Sequence, residues 1–127
     1  MRIWDIEPWR LCRNHLLGEH RELHAVWAIL TQGKRGYALH PETLRWQGRL
    51  RALYRRHDAL VTEMGARGYN HATPLDESLA TGLEVQDRYV DTPDVQVELL
   101  SAKGCSCNLD ALERVVAAPE GGEQPAG

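Results

Sequence analysis

The chain has no long apolar run. Its longest uncharged stretch, Leu23 to Gly33, is eleven residues, about half of the ~20 that a bilayer-spanning helix needs. No basic, apolar and small-residue succession opens it, so no signal peptide is read and a cytoplasmic protein with no membrane partner is expected. Cysteine is scarce, three residues in 127, and an odd, thin complement builds no disulfide framework. A glycine-rich phosphate loop, a G-x-S-x-G elbow, an H-E-x-x-H helix and any solenoid repeat are also missing. A membrane protein and a secreted mini-protein are thereby excluded. With 43% hydrophobic and 26% charged residues, so is a disordered chain. The length suits one domain with a single core, read as a helical unit over residues 1–118 followed by a disordered Gly, Pro, Glu and Gln tail at 119–127.

Charge divides along the chain. Residues 1–71 hold twelve Lys and Arg against seven Asp and Glu, whereas residues 72–127 hold three against eleven. A basic first half suits an anionic partner, although solvated helix faces give the same arithmetic.

Pro8 is a good first-turn residue, and the spacing predicts a helix from there to about Leu30, ended by Gln32-Gly33. Cys12, Leu16, Leu23, Trp27 and Leu30 fall within about 40° of one meridian and form its apolar stripe. After the Gly33-Lys34-Arg35-Gly36 loop, His40-Pro41 opens a second predicted helix that reaches Met64. Trp46, Leu50, Leu53, His57, Leu60 and Met64 recur on it at spacings of three and four. Arg45, Arg49, Arg51, Arg55 and Arg56 are expected on its outer faces. Tyr69 to Pro74 reads as a loop, and Asp76 is expected to cap a short helix. Val95 to Leu100 has strand propensity but no partner strand, so helical or irregular structure is expected. Ser106 or Asn108 is expected to cap a last helix through Ala117. The fold class is all-α, with three main helices.

The first helix carries the most chemistry. His15, Glu19, Glu22 and Val26 lie within about 40° of one another at the edge of the apolar stripe. A carboxylate there is partly desolvated, which suits it to proton transfer. His20 and His24 share a face at metal-ligand spacing. No single ion is expected to gather them with His15 and Glu19, and the site assignment carries no metal and no cofactor. Cys105-Ser-Cys107 is too closely spaced for a two-residue zinc knuckle. His57, on the apolar stripe, reads as a hydrogen-bonded core histidine. Trp46 reads as core, and Tyr69 as the residue that closes a turn.

His15-Leu-Leu-Gly-Glu19-His-Arg21-Glu22-Leu23 resembles the first-helix H-L-x-x-E-x-R-E-L pattern of the endonuclease V type pyrimidine-dimer DNA glycosylases. Met1-Arg2-Ile3 resembles that family's T-R-I start, and Arg67-Gly68-Tyr69-Asn70 its R-G-F-N after the second long helix. The resemblance covers roughly residues 1–75. It implies an all-α enzyme that cuts the glycosidic bond of a damaged pyrimidine and then cleaves the strand as an abasic-site lyase. It also implies that the Met1 α-amine is the nucleophile, forming an imine with C1′ of the sugar, and that Glu22 assists. Arg2, His15 and Arg21 match residues that hold DNA or the reacting sugar. An α-amine titrates near 8 against ~10.4 for lysine, so part of it is neutral at pH 7. The large Arg2 disfavours removal of Met1. The chain departs from the pattern at Ala25, where the family has a second basic residue, and in lacking an aromatic C-terminal segment.

The expected partner is double-stranded DNA with a damaged or abasic site, approached by a monomer that is nucleoid-associated when acting. Lys34 and Arg35, with Asn70 and His71, complete the expected DNA-binding set. Two other readings stay open on the sequence. One is a noncatalytic nucleic-acid-binding module using the five arginines of the second helix. The other is a small helical metal protein using His20 and His24.

Overall fold

The computed structural model describes residues 2–71 and 73–109. These are helical, with no strand among them: α1 (Arg13–Gln32), α2 (Pro41–Leu44), α3 (Leu50–Ala66) and α4 (Pro93–Ala102) follow in chain order, with 3-10 turns at Pro8–Arg10 and Glu77–Leu79. The all-α expectation holds, with α1, α3 and α4 as the main helices. None of them is long and apolar enough to cross a membrane.

The apolar stripes do what their spacing predicts. Leu16, Leu23, Val26 and Trp27 of α1 close on Leu53, Leu60 and Met64 of α3, all buried. Burying each large side chain contributes roughly 1.5–3 kcal/mol. Trp46 joins this core, as expected, and donates its indole N–H to Glu42 at 3.2 Å. Leu100 seals it from α4, and Ile3, Trp4, Ile6 and Leu11 seal it from the N-terminal segment. α1 ends at Gly33, whose left-handed φ of 67° lets its N–H reach the Ile29 carbonyl, the usual glycine C-cap.

Two helix boundaries differ from expectation. The first helix does not run from Pro8: Pro8 opens only a 3-10 turn, Leu11 is extended and Cys12 is the N-cap of α1. The Arg67 guanidinium donates to the Pro8 and Leu11 carbonyls at 3.2 and 2.6 Å, acceptors that a continuous helix would have used itself. The second predicted helix is split into α2 and α3 around Gly48, where φ is 75°. The unpaired amides of the first turn of α3 are taken by a distant segment. The Arg51 and Ala52 N–H groups donate to the Thr81 and Leu83 carbonyls, while the Leu83 N–H donates to the Gly48 carbonyl. Gly82 lies so close to the Gly48 carbonyl that a Cβ has no room there.

Asp76 caps the Glu77–Leu79 turn by accepting from the Ser78 N–H, and Val95 to Leu100 lies in α4. Residues 105–109 are irregular, so the predicted final helix does not start after Ser106. A start after Asn108, the stretch from there to Ala117 and the 119–127 tail lie past Leu109, outside the described residues.

A polar network fixes the N-terminal segment. Arg45 Nη2 donates to the Ile3 carbonyl and to Asp5 Oδ2, both at 2.8 Å, and its Nε donates to Glu42 at 2.7 Å. From α4, Gln96 accepts from the Asp5 N–H at 2.7 Å and donates to Asp5 Oδ2 at 2.8 Å. Arg45, Glu42 and Gln96 are all buried, so residues 3–5 are held from both sides.

Candidate active site

The pinned N-terminal segment, α1 and the end of α4 enclose a cleft of about 180 Å³, lined by Arg2, Trp4, Asn14, His15, Gly18, Glu19, Glu22 and Lys103. It adjoins a wider depression of about 450 Å³ between the N-terminal segment and α4, which shares Arg2, Trp4 and Lys103 with it. Helical periodicity explains the floor. Asn14, Gly18 and Glu22 succeed one another at every fourth residue and so present on one face. A glycine inside a helix costs roughly 0.5–1 kcal/mol relative to alanine. No atom outside the helix lies within 4 Å of where a Gly18 Cβ would sit, so its missing side chain leaves the cleft floor bare.

The walls carry both charges. Glu22 is half-buried. Arg2 packs over the Trp4 ring at 5.5 Å and pairs with Asp91 at 2.9 Å, while its second terminal nitrogen, Nη1, is buried without a partner. Glu19 is buried beneath the cleft and grips Arg56 of α3 through two hydrogen bonds of 2.6 and 2.9 Å. Burial lifts the Glu19 carboxyl above its ordinary range, against the pull of the guanidinium. Burial, and then the Lys103 charge, lowers the pKa of His15, so at neutral pH the cationic groups of this cleft are the arginine and the lysine.

Of the residues singled out by sequence, the cleft gathers Arg2, His15, Glu19 and Glu22. Met1 lies outside the described residues, directly before Arg2. Arg21, Lys34, Arg35 and Asn70 are exposed and do not line the cleft. Trp4, Asn14 and Lys103 were missed. Lys103 follows α4 in the acidic half of the chain, and no local pattern marks it.

The expected basic face of the second helix is not present. Arg45 is buried among Asp5 and Glu42, Arg56 is spent on Glu19, and Arg49 pairs with Asp87 at 2.9 Å. Only Arg51 and Arg55 are exposed, and Arg55 lies 3.7 Å from Glu84. Positions on the flank of an amphipathic helix became internal because other elements bring carboxylates to them.

Two side-chain clusters flank the α1–α3 pair. Cys12, His15, Cys105 and Cys107 form one, and His20, His24, His57 and His71 the other; in each, the donor atoms lie within 4.8 Å of one another. His57 is buried with its Nε2 at 3.1 Å from His24 Nε2, in keeping with a core histidine. His71 is not directed to an open surface: its Nε2 is buried and has no hydrogen-bond partner. Burial, then the neighbouring imidazoles, hold His20 down to about 4 and His57 to about 3.

A sequence profile of the pyrimidine dimer DNA glycosylases matches residues 1–77, more than half of the chain. No curated protein and no solved structure matches it.

Proposed function

Because the chain belongs to the pyrimidine dimer DNA glycosylase family, we propose that it both excises the damaged base and cleaves the resulting abasic strand, with the Met1 α-amine as nucleophile and Glu22 as its acid-base partner. The observation that carries this reading is that Arg2, one residue from that amine, lines the same cleft as the half-buried Glu22. An amine anchored so close to a fixed segment gains the effective concentration that makes a weak nucleophile useful.

The neutral amine attacks C1′ and displaces the base, which leaves with the glycosidic electron pair and takes up a proton. The nitrogen gives up its proton, and opening of the sugar ring gives the imine. Glu22 as carboxylate balances the cationic character at C1′ and then accepts the C2′ proton. The electrons left at C2′ expel the 3′ phosphate, and water releases the shortened sugar and restores the amine. Arg2 and Lys103 supply positive charge to the phosphates beside the reacting sugar. The exposed Arg21, Lys34, Arg35 and Asn70 meet the backbone farther out. The nucleotide must leave the base stack to reach a cleft of this size, and the acting unit is a cytoplasmic monomer. A noncatalytic module reading the duplex through the second helix has less support, since three of its five arginines are tied to carboxylates within the protein.

Borohydride trapping on a duplex with one abasic site tests this, using protein with a free N terminus. The expected result is a covalent adduct on the Met1 nitrogen, lost when the amine is acetylated and strongly reduced in Glu22→Gln. A free amine, verified by mass spectrometry, that gives no adduct would overturn the assignment.

A further inference from the structure

All three cysteines of the chain come together with one histidine, although Cys12 and Cys107 are separated by 95 positions. Cys12 Sγ lies 3.1 Å and Cys107 Sγ 3.4 Å from His15 Nδ1, and Cys105 Sγ completes a group whose donor atoms are all within 4.8 Å. With Zn–S near 2.3 Å and Zn–N near 2.0–2.1 Å, the edges of a tetrahedral site are roughly 3.6 Å for S···N and 3.8 Å for S···S. The two S···N separations, 3.1 and 3.4 Å, lie just inside that edge, and all four donor atoms fall within 4.8 Å. Small side-chain shifts bring this gathering to tetrahedral size, and three cysteines with one histidine is a recognised structural zinc set. We propose that Cys12, His15, Cys105 and Cys107 bind a zinc ion, and that His20, His24, His57 and His71 bind a second transition-metal ion.

The first site has a clear structural task. Its ligands belong to the start of α1 and to the irregular 105–109 segment. That segment is otherwise held mainly by Arg10, which donates to the Asn108 and Leu109 carbonyls at 3.1 and 2.9 Å. Binding releases the thiol protons to solvent and leaves three thiolates and a neutral imidazole around Zn²⁺, a unit of net charge −1. Cys12 is the N-cap of α1, where the helix dipole favours such a charge, and Lys103 is close enough to act on His15. Four protein ligands leave no open position, so this ion holds the C-terminal side of the cleft in place and takes no part in the chemistry.

The histidine site stands on a separate observation. His24 Nε2 is 3.2 Å from His20 Nε2 and 3.1 Å from His57 Nε2. An imidazole nitrogen has either one proton or one in-plane lone pair, so His24 Nε2 satisfies only one of these neighbours by hydrogen bonding. His71 adds a fourth ring whose Nε2 is buried and unpartnered. Four converging nitrogens with too few protons to share form a half-satisfied polar network, which is costly in a core. One cation accepts all four lone pairs, and the tetrahedral N···N edge at ordinary Zn–N lengths is about 3.3–3.4 Å. This site ties α1 and α3 to the turn after α3.

The test uses the full chain purified without a polyhistidine tag from zinc-supplemented medium. Elemental analysis by mass spectrometry is combined with X-ray absorption at the metal edge, and with cobalt(II) spectra after exchange. Two ions per chain, with both sulfur and nitrogen shells, are expected. The cobalt form should show thiolate charge-transfer bands in the near ultraviolet. Cys107→Ser should lose one ion and those bands, and His71→Asn should lose the other ion and keep them. One ion with a sulfur shell would overturn the histidine site, and one with nitrogen ligands alone would overturn the cysteine site. No bound metal and no cobalt uptake, or a disulfide among the cysteines, would overturn the corresponding site outright. The wild-type spectra decide the matter even where a variant fails to fold.

Discussion

Replacing Arg56 by Met removes the only guanidinium among the described residues within hydrogen-bonding distance of Glu19, a carboxylate whose side chain is fully buried. Removing one partner of a buried ion pair costs about 3–5 kcal/mol, and the carboxyl can limit the loss by taking up a proton. Glu19 already titrates above its ordinary 4.5 with Arg56 in place, and without it the folded value moves higher still. Keeping the proton at pH 7 spans two and a half units above 4.5, about 3 kcal/mol, and at pH 5 half a unit, less than about 1 kcal/mol. The sign follows from proton binding. Above pH 4.5 the unfolded chain has released a proton that the folded variant retains, so the variant loses stability as pH rises towards the folded pKa. Urea unfolding of both proteins, followed by circular dichroism at pH 5, 6, 7 and 8, measures the difference. The gap between wild type and Arg56→Met should widen across this range, and Glu19→Leu combined with Arg56→Met should recover most of it. A penalty below about 1 kcal/mol at pH 7, or one that does not change with pH, would refute the buried-pair account.

Other outcomes follow from the same geometry. Gln96→Ala leaves the Asp5 N–H without its acceptor and should cost about 1–3 kcal/mol; borohydride trapping should slow as well, because the segment carrying the amine loses an anchor. Gly82→Ala should be strongly destabilising in a thermal melt, since φ is 85° and the Gly48 carbonyl occupies the space; alanine at Gly18, where no outside atom lies within 4 Å, should fold normally and narrow the cleft. Lys34→Ala with Arg35→Ala should reduce the salt slope of duplex binding by nearly one for each phosphate that is no longer neutralised, whereas Arg49→Ala should leave that slope unchanged. Acidification should release metal before the helices melt, because protons compete for thiolate and imidazole ligands; release measured with a metal-sensitive dye, against helicity, checks the order.

What the sequence reveals depends on how far apart cause and effect lie along it. The α1 and α3 stripes were legible because helical burial repeats every three or four residues, and Leu16, Leu23, Leu53 and Leu60 are all fully buried. The Glu22 edge of α1 was legible for the same reason. Arg45 and Arg56 were misplaced because their carboxylate partners, Asp5 and Glu19, come from other elements. The break at Gly48 was hidden because it depends on a segment more than thirty residues later. The pair His20 and His24 suggested half of a ligand set, but nothing in the spacing announced that His57 and His71 would meet them. Cys105 and Cys107 are too close together for a knuckle of their own, and the rest of their set, Cys12 and His15, lies on the opposite side of the sequence.

The closure of the N-terminal segment on residues 91–108 also governs when the cleft can exist during synthesis. Arg2 meets Asp91, Asp5 meets Gln96 and Arg10 meets Asn108 across 89, 91 and 98 positions. Pairings at such separations form late, after local helices have condensed. On a ribosome, which delivers about 5–20 residues per second, α1 and α3 can pair while the final wall is still in the exit tunnel. The N-terminal segment, gripped early by Arg45 through the Ile3 carbonyl and Asp5, therefore lacks its second set of contacts until Asp91 and Gln96 emerge. An incomplete chain carries the family's matched residues 1–77 without an assembled cleft, so truncated products have the α1 side chains of the cleft but lack its Lys103 wall.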